Sequence, residues 1–304
     1  MKLEKVYKLN PSLHDNIWGG NKLREYGKVS DKDRIAESWE LSFVPKNEAK
    51  IADGRNVTEA FARNTWGKNC EGFEFFPTLT KFIDAREKLS VQVHPSDDYA
   101  LANEGQYGKT EMWYVVEADE GAGIYMGLSQ SVSAEDFAKM VKDGTVEEVL
   151  KFHKVKAADV FFIPAGTVHA IGEGVLIYEI QQNSTLTYRL YDYMRRDQMG
   201  NLRELHVDKA MLVCDLSEYT PENTANDEII GSCKHFETRR YEVSGELSLT
   251  VGEDSFISFS AVRGEGFIEG MPIRRGDTYF SPAGSGKITL SGEMTVLAVS
   301  VPKP

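Results

Sequence analysis

The chain has 304 residues, 41% hydrophobic and 27% charged, an ordinary globular balance with length for two modest domains or one large double barrel. Its net charge of −12 argues against nucleic acid as a partner, and no run approaches the ~20 apolar residues of a membrane span. Three widely spaced cysteines (Cys70, Cys214, Cys233) without a Cys-x-x-Cys pair argue against a disulfide framework, and a charged start without an apolar signal segment adds to the expectation of a reducing cytoplasm.

From the N-terminus, Trp18 and Trp39 stand beside Gly and Glu, and each reads as a pocket wall or as core packing. Residues 56–70 are predicted to form a short helix, since Asn56 and Thr58 can cap and Glu59-Ala60-Phe61-Ala62 favours helix. Lys81 ends the Thr78-Leu79-Thr80 run. Ser90, Gln92 and His94 alternate in a β-type segment, so a two-residue period places all three on one face. Lys109 and Glu111 are likewise two apart, at the opening of the apolar run Met112-Trp113-Tyr114-Val115-Val116.

The clearest helix runs from Ser133 to about Lys151. Ser133 is a good N-cap, Asp136 stands in for the capping-box Glu, and Phe137, Met140 and Val141 fall at helical spacing. Gly144-Thr145 breaks it and Val146 to Phe152 resumes, an excursion over the barrel. The strand Val160-Phe161-Phe162-Ile163 leads into Pro164-Ala165-Gly166-Thr167-Val168-His169, where Gly lets the backbone bend and aim His169 back at the sheet. Glu179 faces either core or pocket, and a buried carboxylate is costly without a partner.

Leu205 to Leu216 reads as a short helix in which His206 packs or caps. The polar stretch Asp215 to Asp227, with Pro221, reads as a linker. Beyond it come short β-type runs separated by turn signals at Ser244-Gly245, Gly252-Glu253, Arg275-Gly276-Asp277 and Ser291-Gly292, the rhythm of a barrel or sandwich. A faint repeat aligns Asp159–His169 with Asp277–Lys287: both keep Asp, an apolar run and Pro-Ala-Gly, but Lys287 stands where the first copy has His169.

A single His beside Pro usually belongs to a core or rim. Taken together, Gln92, His94, Glu111 and His169 offer two imidazoles, a carboxylate and an amide oxygen, a mostly neutral set that suits zinc and leaves room for a water or substrate oxygen. These segments are similar to the cupin barrel, with Gln92 in place of its first His. With Glu37-Ser38-Trp39-Glu40, Leu89 to Pro95, Gly108 to Trp113, Tyr178 to Gln182 and Thr187 to Asp192 all in order, the chain resembles the type I mannose-6-phosphate (phosphomannose) isomerases in their short two-cupin bacterial form.

That resemblance implies a mainly β double cupin, two jelly-roll-like barrels with a few short helices. Residues 1–215 would form the catalytic domain and residues 228–304 a second barrel without metal ligands. It implies one Zn2+ per chain on Gln92, His94, Glu111 and His169, and isomerisation between mannose 6-phosphate and fructose 6-phosphate through a cis-enediol. Lys109 corresponds to an active-site lysine, acting as a phosphate or hydroxyl donor or as a base. Arg189 would orient the substrate and stabilise enediolate charge, with Glu179 a second acid/base candidate. Ser90 and Lys81 would hold the phosphate, Trp18 would wall the pocket, and the chain would act as a monomer or homodimer. Two rivals remain: a cupin enzyme of another class, which would carry three His and one Glu, and a non-catalytic sugar binder, which would not need the metal.

Overall fold

The computed structural model describes residues 4–197, 199–221 and 228–303, and its strands form three antiparallel sheets. A six-stranded sheet runs in the order Val160–Ile163, Glu111–Ala118, Val175–Gln182, Thr78–Ala85, Glu37–Leu41, Ser12–His14. A five-stranded sheet runs Tyr188–Tyr191, Val91–Val93, His169–Ile171, Gly123–Leu128, Leu150–Lys154. An eight-stranded sheet holds the strands of the second half. The fold is the mainly β double cupin expected. Its sheets are open-edged layers, and none closes into a cylinder among the described residues.

The six-stranded sheet lies between the other two, which explains why its strands read as continuous apolar runs. Along Val175–Gln182, every residue is buried. Val175 and Ile177 pack towards the five-stranded sheet with Trp113, Val115, Ile124 and Ile171. Leu176, Tyr178 and Ile180 pack the other way, against Phe236, Val262, Leu297 and Val299 of the eight-stranded sheet. Each such large apolar side chain contributes about 1.5–3 kcal/mol by leaving water. Polar groups are paired where they are buried: Tyr178 Oη lies 2.6 Å from Ser260 Oγ across the same interface, and the buried Lys28 ammonium lies 2.6 Å from Glu40 Oε1.

Val91 and Val93 point away from the sandwich and pack beneath the helix Ala134–Asp143 with Phe137 and Val141. The Ser133 cap forms as expected, accepting the Asp136 N–H at 3.1 Å, and Gly144 ends the helix in the left-handed conformation. The segment after it does not resume as helix. Val146–Val149 is a single 3-10 stretch and Leu150–Lys154 is an edge strand paired with Gly123–Leu128, because Val149 and Leu150 join the cluster beneath the helix.

Two other expected helices are shorter than their patterns suggest. In 56–70 only Val57–Ala60 is α-helical, and Arg63–Thr65 and Lys68–Cys70 are 3-10 stretches. Tertiary bonds intervene there: Lys68 and Asn69 donate their N–H groups to the carbonyls of Glu253 and Asp254 in the second half. In 205–216 the helix is Val207–Met211, and His206 at its N-terminal side accepts the Arg189 backbone N–H at 3.2 Å.

The turn signals at Ser244-Gly245 and Ser291-Gly292 are not turns. Phe236–Val251 and Gly286–Ser300 run unbroken through them, with Gly292 paired to Gly245 on one side and to Gly266 on the other. A Cβ on Gly292 would lie 2.6 Å from the Gly266 Cα, so glycine lets three long strands approach closely there. Tyr7–Asn10 and Lys50–Ile51 extend the same eight-stranded sheet, pairing Tyr7–Asn10 with Thr278–Ser281. Of the linker, residues 222–227 lie outside the described residues.

Candidate metal centre and active-site cavity

Local rules place the first side chains. With Val91 and Val93 turned to the helix side, Ser90 and Gln92 line a cavity on the opposite face, and His94 follows at the strand end. The Pro164–His169 turn carries Gly166 at φ +90°, and its N–H donates to the His94 carbonyl at 2.8 Å. His169 then pairs directly with Gln92 across the sheet. Glu111, at the start of its strand, comes in from the facing sheet.

His94, Glu111 and His169 converge, with donor atoms all within 4.8 Å of one another and every side chain buried. His169 Nε2 lies 3.3 Å from Glu111 Oε1, and His94 Nε2 lies 3.5 Å from Glu111 Oε2. The His169 Nδ1–H donates to the Thr167 carbonyl at 2.8 Å, leaving Nε2 as the lone-pair nitrogen facing Glu111. Gln92 Nε2 lies 3.3 Å from His169 Nε2, so turning its amide over would present the oxygen to the same point. Burial lowers His169 to about 4 and His94 well below its ordinary value, so both imidazoles are neutral donors near pH 7. Burial pushes the Glu111 carboxyl up to about 7, against the pull of Lys109. Two neutral imidazoles and one carboxylate converging on one point fit a divalent cation.

Above this cluster opens a cavity of about 320 Å³. It brings together seven residues singled out from sequence: Trp18, Lys81, Ser90, Gln92, Lys109, Glu179 and Arg189. Its wall carries an alternating row of charges. Lys109 Nζ lies 3.0 Å from Glu111 Oε2, 3.1 Å from His94 Nε2 and 4.0 Å from Glu179 Oε1. Lys81 Nζ lies 3.1 Å from Glu179 Oε1 and 3.7 Å from Glu37 Oε2, over the Trp39 ring. Burial alone would push Glu179 up, but Lys81 and Lys109 hold it at about 2, and Trp113 Nε1 donates to its other oxygen at 3.0 Å. Burial also opposes charge on Lys81, yet Glu179 and Glu37 raise its pKa. Glu179 therefore faces the pocket, with partners that justify its burial.

Arg189 has no carboxylate within salt-bridge distance among the described residues. One Nη donates to the Glu204 carbonyl at 2.7 Å, and its Nε is buried without an acceptor. Trp39 is set behind the wall, its Nε1 donating to Glu37 Oε2 at 2.8 Å, so it steadies Glu37 and does not line the cavity. Sequence reasoning missed Asn16, Glu37, Thr185, Thr187 and Arg203. Glu37 lay within the quoted Glu37-Ser38-Trp39-Glu40 segment and could have been singled out as a carboxylate in a strand. No local pattern marks Arg203, which reaches the cavity from an irregular segment and is held by Asp192, with Nε to Oδ2 at 2.7 Å.

Comparison with known proteins places this geometry. Residues 6–126 match the family model "Phosphomannose isomerase type I, catalytic domain". The chain is 36% identical to mannose-6-phosphate isomerase ManA of Bacillus subtilis over 301 residues, covering 93% of this chain and 94% of that protein. It is 34% identical to mannose-6-phosphate isomerase of Streptococcus mutans over 308 residues, covering 95% and 96% respectively. The crystal structure of a Bacillus subtilis mannose 6-phosphate isomerase superposes with a TM-score of 0.89 at 30% identity, covering 97% of this chain and 99% of that one.

Proposed function

The chain belongs to the type I phosphomannose isomerase family, and from that premise we propose that it interconverts mannose 6-phosphate and fructose 6-phosphate through a cis-enediol, with one zinc ion on Gln92, His94, Glu111 and His169. The observation that carries this reading is the row Glu37–Lys81–Glu179–Lys109–Glu111, which leads from the cavity wall to the His-Glu-His cluster. A cluster that only stabilised the fold would not need two ammonium groups and three carboxylates beside a cavity.

Isomerisation moves one proton between C1 and C2, so it needs a proton carrier beside the carbon and compensation for charge on the neighbouring oxygens. Zinc, when bound, would supply that compensation as a Lewis acid. We assign the proton transfer to Lys109 Nζ, the wall group nearest the metal donors, acting as the neutral amine that takes the proton from one carbon and returns it to the other. Glu179, held at about 2, is a poor proton acceptor; its part is to orient Lys109 and Lys81. Arg189, without a carboxylate in salt-bridge distance among the described residues, stabilises the enediolate charge. Ser90 and Lys81 meet the phosphate, with Arg203 at the same wall, and Trp18 closes the apolar side with Ile83 and Leu89. Cys70, Cys214 and Cys233 are all free, which supports the reducing cytoplasm we assign to the chain.

A coupled assay tests the reading: mannose 6-phosphate supplied, fructose 6-phosphate detected, before and after chelation. Turnover that is lost on chelation and restored by zinc is expected. Binding of mannose 6-phosphate without turnover would favour the sugar-binding alternative.

A further inference from the structure

Lys109 enters the site from a three-residue run whose consecutive backbone N–H groups all donate to fixed acceptors. Gly108 donates to Asp97 Oδ1 at 2.8 Å, Lys109 to the Pro95 carbonyl at 3.0 Å, and Thr110 to Gln182 Oε1 at 2.7 Å. Gln182 Nε2 donates in turn to the same Asp97 oxygen at 2.7 Å. The amide can point only one way, because Thr110 needs its oxygen and Asp97 needs its nitrogen. Gly108 leaves no slack, since a Cβ there would lie 2.4 Å from the Ser96 carbonyl carbon.

The clamp is backed from the other half of the chain. His235, 3% exposed, sits in the connection between Ile229–Cys233 and Phe236–Val251, its ring packed on Phe73 and Tyr107. Its Nε2 lies 3.2 Å from Gln182 Nε2 and 3.5 Å from Asp97 Oδ2. Among the described residues none beyond Arg203 lines the cavity, so His235 is connected to the site through this network.

We propose that Asp97 and Gln182 are positioning residues for Lys109, and that His235 is the second half's contribution to the same clamp. The proposal rests on the reading of Lys109 as the proton carrier. A lysine stem has four rotatable bonds, so a backbone held on three successive N–H groups is what fixes the origin of its reach. A shift of ~1 Å at a reacting group commonly costs about 100-fold in rate.

Steady-state kinetics with mannose 6-phosphate, zinc content and thermal midpoint should be compared for the wild type, Asp97→Ala, Asp97→Asn, Gln182→Leu and Lys109→Met. Asp97→Ala and Gln182→Leu should lower kcat about 10- to 100-fold with KM within about threefold and zinc retained. Asp97→Asn, whose amide oxygen can accept from both Gly108 and Gln182, should stay within about threefold of wild type. Wild-type kcat in Asp97→Ala and Gln182→Leu beside an inactive Lys109→Met would overturn the clamp and leave the Lys109 reading standing. An unimpaired Lys109→Met would instead remove the reading itself. Should the Ala and Leu variants not fold, amide hydrogen exchange in the wild type decides: slow exchange at residues 108–110 supports the clamp, and exchange at solvent rates overturns it.

Discussion

The backbone N–H of Gly166 donates to the carbonyl of His94 at 2.8 Å, tying the turn that aims one imidazole to the strand end that carries the other. The two histidines are 75 positions apart in sequence, yet one hydrogen bond sets the spacing of their side chains, with ring centroids 4.8 Å apart. Gly166 holds φ +90°, and a Cβ there would lie 3.1 Å from the Val213 carbonyl oxygen.

Gly166→Ala should therefore cost about 1–3 kcal/mol of stability from backbone strain. It should also weaken zinc affinity about 10- to 100-fold by moving a group that orients a ligand. Gly284→Ala, at φ +79° in the repeated Pro-Ala-Gly turn, should carry similar strain with zinc affinity unchanged. Metal titration and thermal melts on both variants check this, and equal effects on zinc would refute it.

Purified protein should contain about one zinc per chain by elemental analysis. His169→Ala should lose both metal and turnover, whereas Lys287→Ala, at the equivalent place in the repeat, should lose neither. Chelation should lower the melting temperature, because an ion that binds only the folded state stabilises it by mass action. Full activity in thoroughly metal-free protein would sink the assignment.

Arg189→Ala should lower kcat about 100- to 1000-fold while changing KM far less, if the guanidinium meets charge that develops only during reaction. Zinc should remain bound. Unchanged kcat with a raised KM would make Arg189 a phosphate clamp, a role its unpaired Nε could also serve.

In the metal-free protein, stability should fall as pH drops from about 6.5 towards 4. His169 and His235, both lowered to about 4 by burial, bind their protons in the unfolded chain before the folded one, and His94 is lowered in the same direction. Glu111, raised to about 7, works the other way and gains stability as pH falls from 7 towards 4.5. His14, His153 and His206 are lowered too, and Glu40 and Asp84 are raised, so six losses stand against three gains and leave a net loss, and Glu111→Gln should steepen it. Urea midpoints in chelator at pH 7 and pH 4.5 decide, and a midpoint that holds or rises on acidification contradicts the assigned burial effects.

Thiol titration of unfolded, unreduced protein should find Cys70, Cys214 and Cys233 all free. A disulfide formed in the cell would contradict the cytoplasmic assignment.

Much of the site was legible because its rules are local. A strand alternates every two residues, so Ser90 and Gln92 had to share a face and Val91 and Val93 had to take the other. A Pro-Ala-Gly turn demands a positive φ, so Gly166 and Gly284 match from the sequence pattern alone. The Ser133 cap needed only the next three residues. What local rules could not supply was partnership across the fold. Whether Glu179 faced core or pocket depended on the register of its strand between Thr78–Ala85 and Glu111–Ala118. Glu37 and Arg203 met the cavity only through chain segments far from it in sequence. The 56–70 segment gave up helix for carbonyls of Glu253 and Asp254, which no window of its own sequence contains. Periodicity and turn chemistry are paid out within a few residues and so are written in them; sheet register, ion pairing and competing backbone bonds depend on which distant segments pack together, and only the folded chain settles that.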